Sequence, residues 1–293
     1  MPNSEPIGDR PPGANPLADH PLAGRRIAIL EHREQDRLGQ MFEAQGALTL
    51  RCPLVAIVDA PDPTPVLAWL NRFVEAPPDD LVLMTGEGLR RLRGFADRAG
   101  LGDAFCGALV EVRTITRGPK PARALREIGL APGLRAEHPT TAGVVAALSQ
   151  GAALAQGGLR GRRIALQLYP DAPTTLVDFL TGAGALPDPV LPYAYVPSAG
   201  NAEVLGLIEE MAAGRVDAIV FTSAPQIGRL FEMAGAAMAE TRLRAALERT
   251  AIAAIGPVVA AGLERRGLTV AIMPRDSFFM KPLVSAVAAA LAR

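Results

Sequence analysis

At 293 residues the chain is about twice a typical domain length, which predicts two compact units, each large enough to bury a core. Thirty Lys plus Arg balance thirty Asp plus Glu, which excludes a basic footprint spread over the whole surface; 49% hydrophobic but only 4% aromatic residues call for a core of Ala, Val, Leu and Ile, the composition of parallel sheets under Ala/Leu helices. The two cysteines, Cys52 and Cys106, have neither CxxC spacing nor a histidine pair nearby, so they read as buried small hydrophobes and indicate neither a zinc site nor a disulfide framework.

Residues 1–23, beginning MPNSEPIGDRPPGANPLADH, have no basic stretch followed by an apolar one, so they read as a disordered tail and not a signal peptide. A short apolar run, Ile27 to Leu30, then predicts a strand. An amphipathic stretch over 37–45 follows, with Leu38, Met41 and Phe42 at helical spacing and Gly46 placed for a C-cap. The proline-rich segment 52–65 reads as a crossover between units. Leu81 to Met84 predicts a further strand leading through Thr85-Gly86-Glu87-Gly88 into a helix, and Gly118-Pro119 opens another. The same order then returns: a strand over Ile164 to Leu168, a helix over 174–182 before Gly184, a proline-rich crossover over 186–200, a strand over Ala218 to Phe221, and helix starts at Thr222-Ser223-Ala224-Pro225 and Gly256-Pro257. No apolar run approaches the ~18 residues of a membrane span, so membrane partners are not expected and a cytoplasmic location is.

This recurrence is an internal duplication with a period of about 137 residues. GRRIAIL at Gly24 recurs as GRRIALQ at Gly161, DLVLMTGEGL at Asp80 as DAIVFTSAPQI at Asp217, and TRGPKPARALREIGL at Thr116 as AIGPVVAAGLERRGL at Ala254. Strands alternating with helices at this spacing imply an α/β protein of two flavodoxin-like parallel-sheet lobes, joined by paired linkers near 52–62 and 188–198.

In such sheets ligands bind beyond the carboxyl ends of the strands, where helix N-termini favour anions. The candidate ligand-binding residues are therefore Thr85, Gly86, Arg117, Gly118, Lys120, Thr222, Ser223, Gly256 and Ser277. The hydroxyls of Thr85, Thr140, Thr222, Ser223 and Ser277 read equally as N-caps. Arg33, Arg229, Arg275 and Lys281 add cations in or near these loops, while Glu87 would repel an anion. No GxGxxG follows the first strand, no GxxxxGK[ST] is present, and His20, His32 and His138 lack metal-ligand spacing, so neither cofactor nor metal is expected.

The run DAIVFTSAPQIGRLFEMA, then IAAIGPVVAAGLERRGL and a final helix, resembles the uroporphyrinogen-III synthase family over nearly everything from Gly24 to Arg293. The resemblance implies one lobe of 24–56 plus 197–293, another of 57–192, and a linear tetrapyrrole, hydroxymethylbilane, held between them. It also implies cyclisation to uroporphyrinogen III with loss of water, Tyr193 in PYAYV as general acid with Tyr195 as the second candidate for that role, and transient contact with the enzyme that forms the bilane. Departures fall in the first half. Gly86 stands where the family has a hydroxyl, and Pro121, Arg117 and Lys120 replace its glycine turn and threonine. That RGPK turn is similar to synthase-like domains of bacterial regulators, which carry a winged-helix module at their C-terminus. No such module precedes Arg293, so nucleic acid is not an expected partner, and a non-catalytic ligand sensor is the alternative to the enzyme.

Overall fold

The computed structural model describes residues 20–153 and 158–292. In chain order the elements are β1 (Arg26–Ile29), α1 (Gln35–Glu43), β2 (Leu48–Arg51), β3 (Val55–Asp59), α2 (Thr64–Glu75), β4 (Asp80–Leu83), α3 (Gly86–Arg98), α4 (Gly102–Glu111) and β5 (Arg113–Thr116). Then follow α5 (Pro119–Glu127), β6 (Leu134–Arg135), α6 (Thr141–Ala153), β7 (Arg163–Gln167), α7 (Thr175–Gly182), β8 (Leu186–Val190), β9 (Tyr193–Pro197) and α8 (Asn201–Ala212). The last are β10 (Ala218–Phe221), α9 (Ala224–Ala236), α10 (Glu240–Arg249), β11 (Ala251–Ala254), α11 (Pro257–Glu264) and α12 (Met280–Leu291).

These elements form two compact units, one from the segments up to Ala56 and from Pro197 onward, the other Ile57–Val196. The first unit has a parallel sheet in the order β11-β10-β1-β2, extended beyond β11 by a bridge from Ala253 to Ile272; the second has the parallel sheet β6-β5-β4-β7-β8. Strands β3 and β9 pair with each other as a separate ribbon. Both sheets follow the flavodoxin-like order, but the chain enters the second in the middle of the repeat, so β7 and β8 correspond to β1 and β2 while β4, β5 and β6 correspond to β10, β11 and the Ile272 bridge.

Pairing fixes the register between the copies. Asp80 pairs with Ile164 and Arg113, as Ala218 pairs with Ile27 and Ala251; Ile115 meets Leu134 as Ala253 meets Ile272. Hence Asp79, not Asp80, is the counterpart of Asp217. Each accepts the backbone N–H that starts the neighbouring strand, from Arg163 and Arg26, both at 2.8 Å. The similarity of the strings DLVLMTG and DAIVFTS places Thr85 opposite Thr222, one residue out of the structural register. Thr85 is instead the counterpart of Ser223, both being helix N-caps, and Thr222 is the counterpart of Met84.

Burial of both sheet faces explains the near-continuous apolar strands. In the second unit Leu81 and Leu83 face one apolar cluster, with Trp69 and Phe105, while Val82 and Met84 face another, with Val144 and Leu180. A single larger cluster from Leu22 to Ala288 fills the first unit. Gly46 and Gly184, at φ +88 and +75, take the left-handed turns that follow α1 and α7.

Three expectations are corrected. Of the tail assigned to 1–23, residues 1–19 lie outside the described residues, but His20–Ala23 form a turn in which Leu22 is fully buried and its N–H donates to the Gln45 carbonyl; one leucine with a cavity to fill anchors the end of that segment. Of the proline-rich stretch 186–200, Leu186–Val190 is not linker but the edge strand β8. Leu186 donates its N–H inward to the Arg162 carbonyl, so Pro187 and Pro189 turn their missing donors outward, where proline is tolerated. Cys106, expected to be buried, is half-buried, and its sulfur meets the Arg93 guanidinium.

Candidate functional site

The strongest polar constellation of the second unit sits at the carboxyl end of its sheet, where β4 and β7 lie side by side and the chain leaves them in different directions. Thr85 follows β4 and caps α3: its Oγ1 accepts the Gly88 N–H at 3.0 Å, and its own N–H donates to Gln167 Oε1 at 3.0 Å. The Tyr193 hydroxyl lies 3.1 Å from Thr85 Oγ1. Tyr193 is 2% exposed, Tyr195 is half-buried two residues along the same face of β9, and their rings meet edge-on at 5.7 Å. Arg117, at the end of β5, stacks over the Tyr169 ring at 5.0 Å. All three tyrosines of the chain thus gather with Arg117 at this edge.

Burial keeps the phenols of Tyr193 and Tyr195 protonated. Burial pushes Tyr193 above the ordinary tyrosine value; hydrogen bonds from Thr85 and Tyr195 and the charge of Arg117 oppose it, and Glu87 reinforces it. Tyr195 is pushed much further, by burial first and then by Tyr193. A phenol held neutral beside a guanidinium can donate a proton and neutralise an anion at one place.

The ribbon offers a comparison within the molecule. In the register of the repeat, Val55 and Ile57 of β3 occupy the places of Tyr193 and Tyr195 in β9. Aliphatic side chains are sufficient to build such a strand, so the hydroxyls of β9 are not demanded by its packing.

The remaining residues singled out from sequence are distributed as follows. Gly86, Gly118 and Gly256 sit against close neighbours: a Cβ would stand 2.6 Å from the Lys120 carbonyl oxygen, 2.9 Å from Pro139 Cβ and 2.9 Å from the Phe278 ring respectively. Their identity is set by these approaches. Lys120 is exposed on the first turn of α5. Ser223 caps α9, and Thr140 Oγ1 accepts from Gly143 at the start of α6. Thr222 is no cap; its hydroxyl donates to the Glu31 carboxylate. Ser277 is half-buried and precedes the N-cap of α12, which is Phe279. Arg33, Arg275 and Lys281 are exposed, and Arg229 pairs with Glu232.

Sequence reasoning missed Gln167, Tyr169, Glu31 and Gln226. The duplication carried the signal for the first: aligned with Leu30, Gln167 is a polar residue ending an apolar strand, and only a site or an unmet hydrogen-bonding group nearby explains that. Among the described residues no group of three His, Cys, Asp or Glu could hold a metal ion, and no helix is long and apolar enough to cross a membrane.

A family model described as Uroporphyrinogen-III synthase HemD matches residues 36–285. The Bacillus subtilis (strain 168) protein named Uncharacterized protein YjjA is 31% identical over 254 residues, 86% of this chain and 91% of that one. A crystal structure of a mutant uroporphyrinogen III synthase from the extremely thermophilic bacterium Thermus thermophilus superposes with TM-score 0.71 at 28% identity, covering 92% of this chain and 99% of that one. Uroporphyrinogen-III synthetase from Helicobacter pylori 26695, at 13% identity and TM-score 0.50 over 90% of this chain and 99% of its own, shares the fold.

Proposed function

Because the chain belongs to the uroporphyrinogen-III synthase family, we propose that it cyclises hydroxymethylbilane to uroporphyrinogen III, inverting the terminal ring and releasing water. The observation that carries this reading is the neutral Tyr193 phenol, hydrogen-bonded to Thr85 beside Arg117, where the other copy of the repeat has only Val55. In the proposed reaction the bond from the substrate methylene to its hydroxyl breaks and its electrons leave with oxygen. Tyr193 gives the proton that turns this oxygen into water, and the pyrrole with its methylene is left as an azafulvene cation open to attack by the far ring.

Few reactive groups are needed. Folding a flexible tetrapyrrole so that its ends meet contributes most of the acceleration through orientation. Arg117 and the backbone N–H groups at the starts of α3, α5, α9 and α11 suit the eight substrate carboxylates. Lys120, Gly86 and Gly118 in the second unit, and Thr222, Ser223, Gly256 and Ser277 in the first, are proposed as ligand-binding residues.

The deciding experiment supplies freshly made hydroxymethylbilane and separates type I from type III product. Type III above the spontaneous rate is expected. Type I alone would favour the ligand-sensing alternative.

A further inference from the structure

At the carboxyl edge of the first unit's sheet the hydrogen bonds can be oriented without ambiguity. The Leu30 carbonyl only accepts, and Gln226 Nε2 donates a hydrogen bond to it at 3.1 Å. The carboxamide is thereby fixed, with Oε1 accepting from the N–H groups of Thr222 (2.8 Å) and Ser223 (3.2 Å) and Nε2 donating its second proton to Thr222 Oγ1 (2.9 Å). The Thr222 hydroxyl proton has one place left to go, the Glu31 carboxylate. Gln226 and Thr222 are 2% and 4% exposed, whereas Glu31 is half-buried. A buried polar chain therefore ends in the Glu31 carboxylate, which follows β1 at the carboxyl edge of the sheet and whose other oxygen lies 3.4 Å from the Glu34 N–H.

The second unit serves as a control. There the place of Thr222 is taken by Met84 and that of Glu31 by Leu168, both packed into one apolar cluster. An apolar pair closes this corner of the fold, so neither the threonine nor the glutamate is required for folding. A carboxylate here also works against binding of a polyacid, because like charges repel.

We propose that Glu31, oriented by Thr222, is a catalytic carboxylate that stabilises positive charge developing on the substrate. The inference rests on the cyclisation reading above, in which loss of water leaves a cation. A fixed anion helps the transition state and hinders the ground state, and that difference accelerates the reaction.

The test uses the full chain with Glu31→Gln, Glu31→Asp and Thr222→Val, each assayed with fresh hydroxymethylbilane. Glu31→Gln is expected to lower kcat at least about tenfold with KM unchanged or reduced, and Glu31→Asp to recover part of the loss. An unaltered kcat in Glu31→Gln overturns the proposal. If that variant does not fold, Glu31→Asp and Thr222→Val decide: each is expected to lose about threefold or more in kcat, and full turnover in both overturns it. If the wild-type chain forms no type III product, the cyclisation reading and the catalytic role fall together. A titration with uroporphyrin III then separates the placement from the chemistry: tighter binding by Glu31→Gln keeps the carboxylate at the ligand edge, and equal affinity removes it.

Discussion

The carboxamide of Gln167 fills the space that any side chain on Gly88 would need. The first unit solves the same corner in reverse, with Leu30 on the strand and Gln226 on the helix. In both, one glutamine amide oxygen accepts the N–H of the helix N-cap residue, Thr85 or Ser223. Duplication preserved the hydrogen bond and exchanged the element that supplies it.

This exchange predicts strong coupling. Gln167→Leu alone leaves the Thr85 N–H without its acceptor, at a cost of about 1–3 kcal/mol. Gly88→Gln alone overpacks the corner by a similar amount, about 1–3 kcal/mol. The double variant recreates the arrangement of the first unit and is expected to recover at least about 1 kcal/mol relative to the sum. Urea denaturation of the four proteins measures the coupling, and additivity within about 0.5 kcal/mol would refute the exchange.

Tyr193→Phe keeps the buried ring and removes the proton. The expected result is a fall in type III formation of about 10²-fold with KM little changed, and a thermal midpoint within a few degrees of wild type. Because burial raises the phenol above its ordinary value, the wild-type rate should show no loss from tyrosine ionisation below about pH 10. Equal turnover by the phenylalanine variant would exclude Tyr193 as the acid.

Glu127 joins α5 to α3 through two hydrogen bonds from Arg90, at 2.7 and 2.9 Å. Those bonds, and the charges of Arg90 and Arg123, hold its carboxyl at about 2, below the ordinary 4.5. A depressed carboxylate stabilises the fold above its unfolded value and loses that contribution as pH falls from 4.5 toward 2. The pair is largely solvated, so the effect is at most about 1 kcal/mol. Stability profiles of wild type and Glu127→Gln should converge across that acid window; parallel profiles would contradict the linkage.

The two thiols should react in a fixed order. Cys52 is buried and its thiol is pushed up to about 11, by burial first and by the charge of Glu203 second. Cys106 is half-buried beside Arg93. Iodoacetamide at about pH 8 is expected to modify Cys106 first and Cys52 only on unfolding, as peptide mapping would show. Simultaneous modification would mean that the core around Cys52 opens readily.

Much of the fold was legible because repeated strings mark repeated elements, and apolar runs without alternation mark strands covered on both faces. Side-chain identity misled where the copies differ by a single residue of register: the two threonines align as letters, while Thr85 and Ser223 align as caps. Pro187 and Pro189 argued against a strand because the sequence does not state which edge of a sheet faces outward. The candidate site was legible in Tyr193, Thr85 and Arg117. Its supports were not, since the roles of Gln167 and Gln226 depend on which neighbour lacks a side chain, a property of two elements at once.

The second unit is continuous along the chain, whereas the first is assembled from its two ends. As the polypeptide leaves the ribosome, β1 and β2 emerge early but cannot complete their sheet, because β10 and β11 lie more than a hundred residues downstream. The inserted unit can therefore close while its twin waits as an unfinished two-strand fragment, and apolar Ile27 and Ile29 depend on the last third of translation for cover.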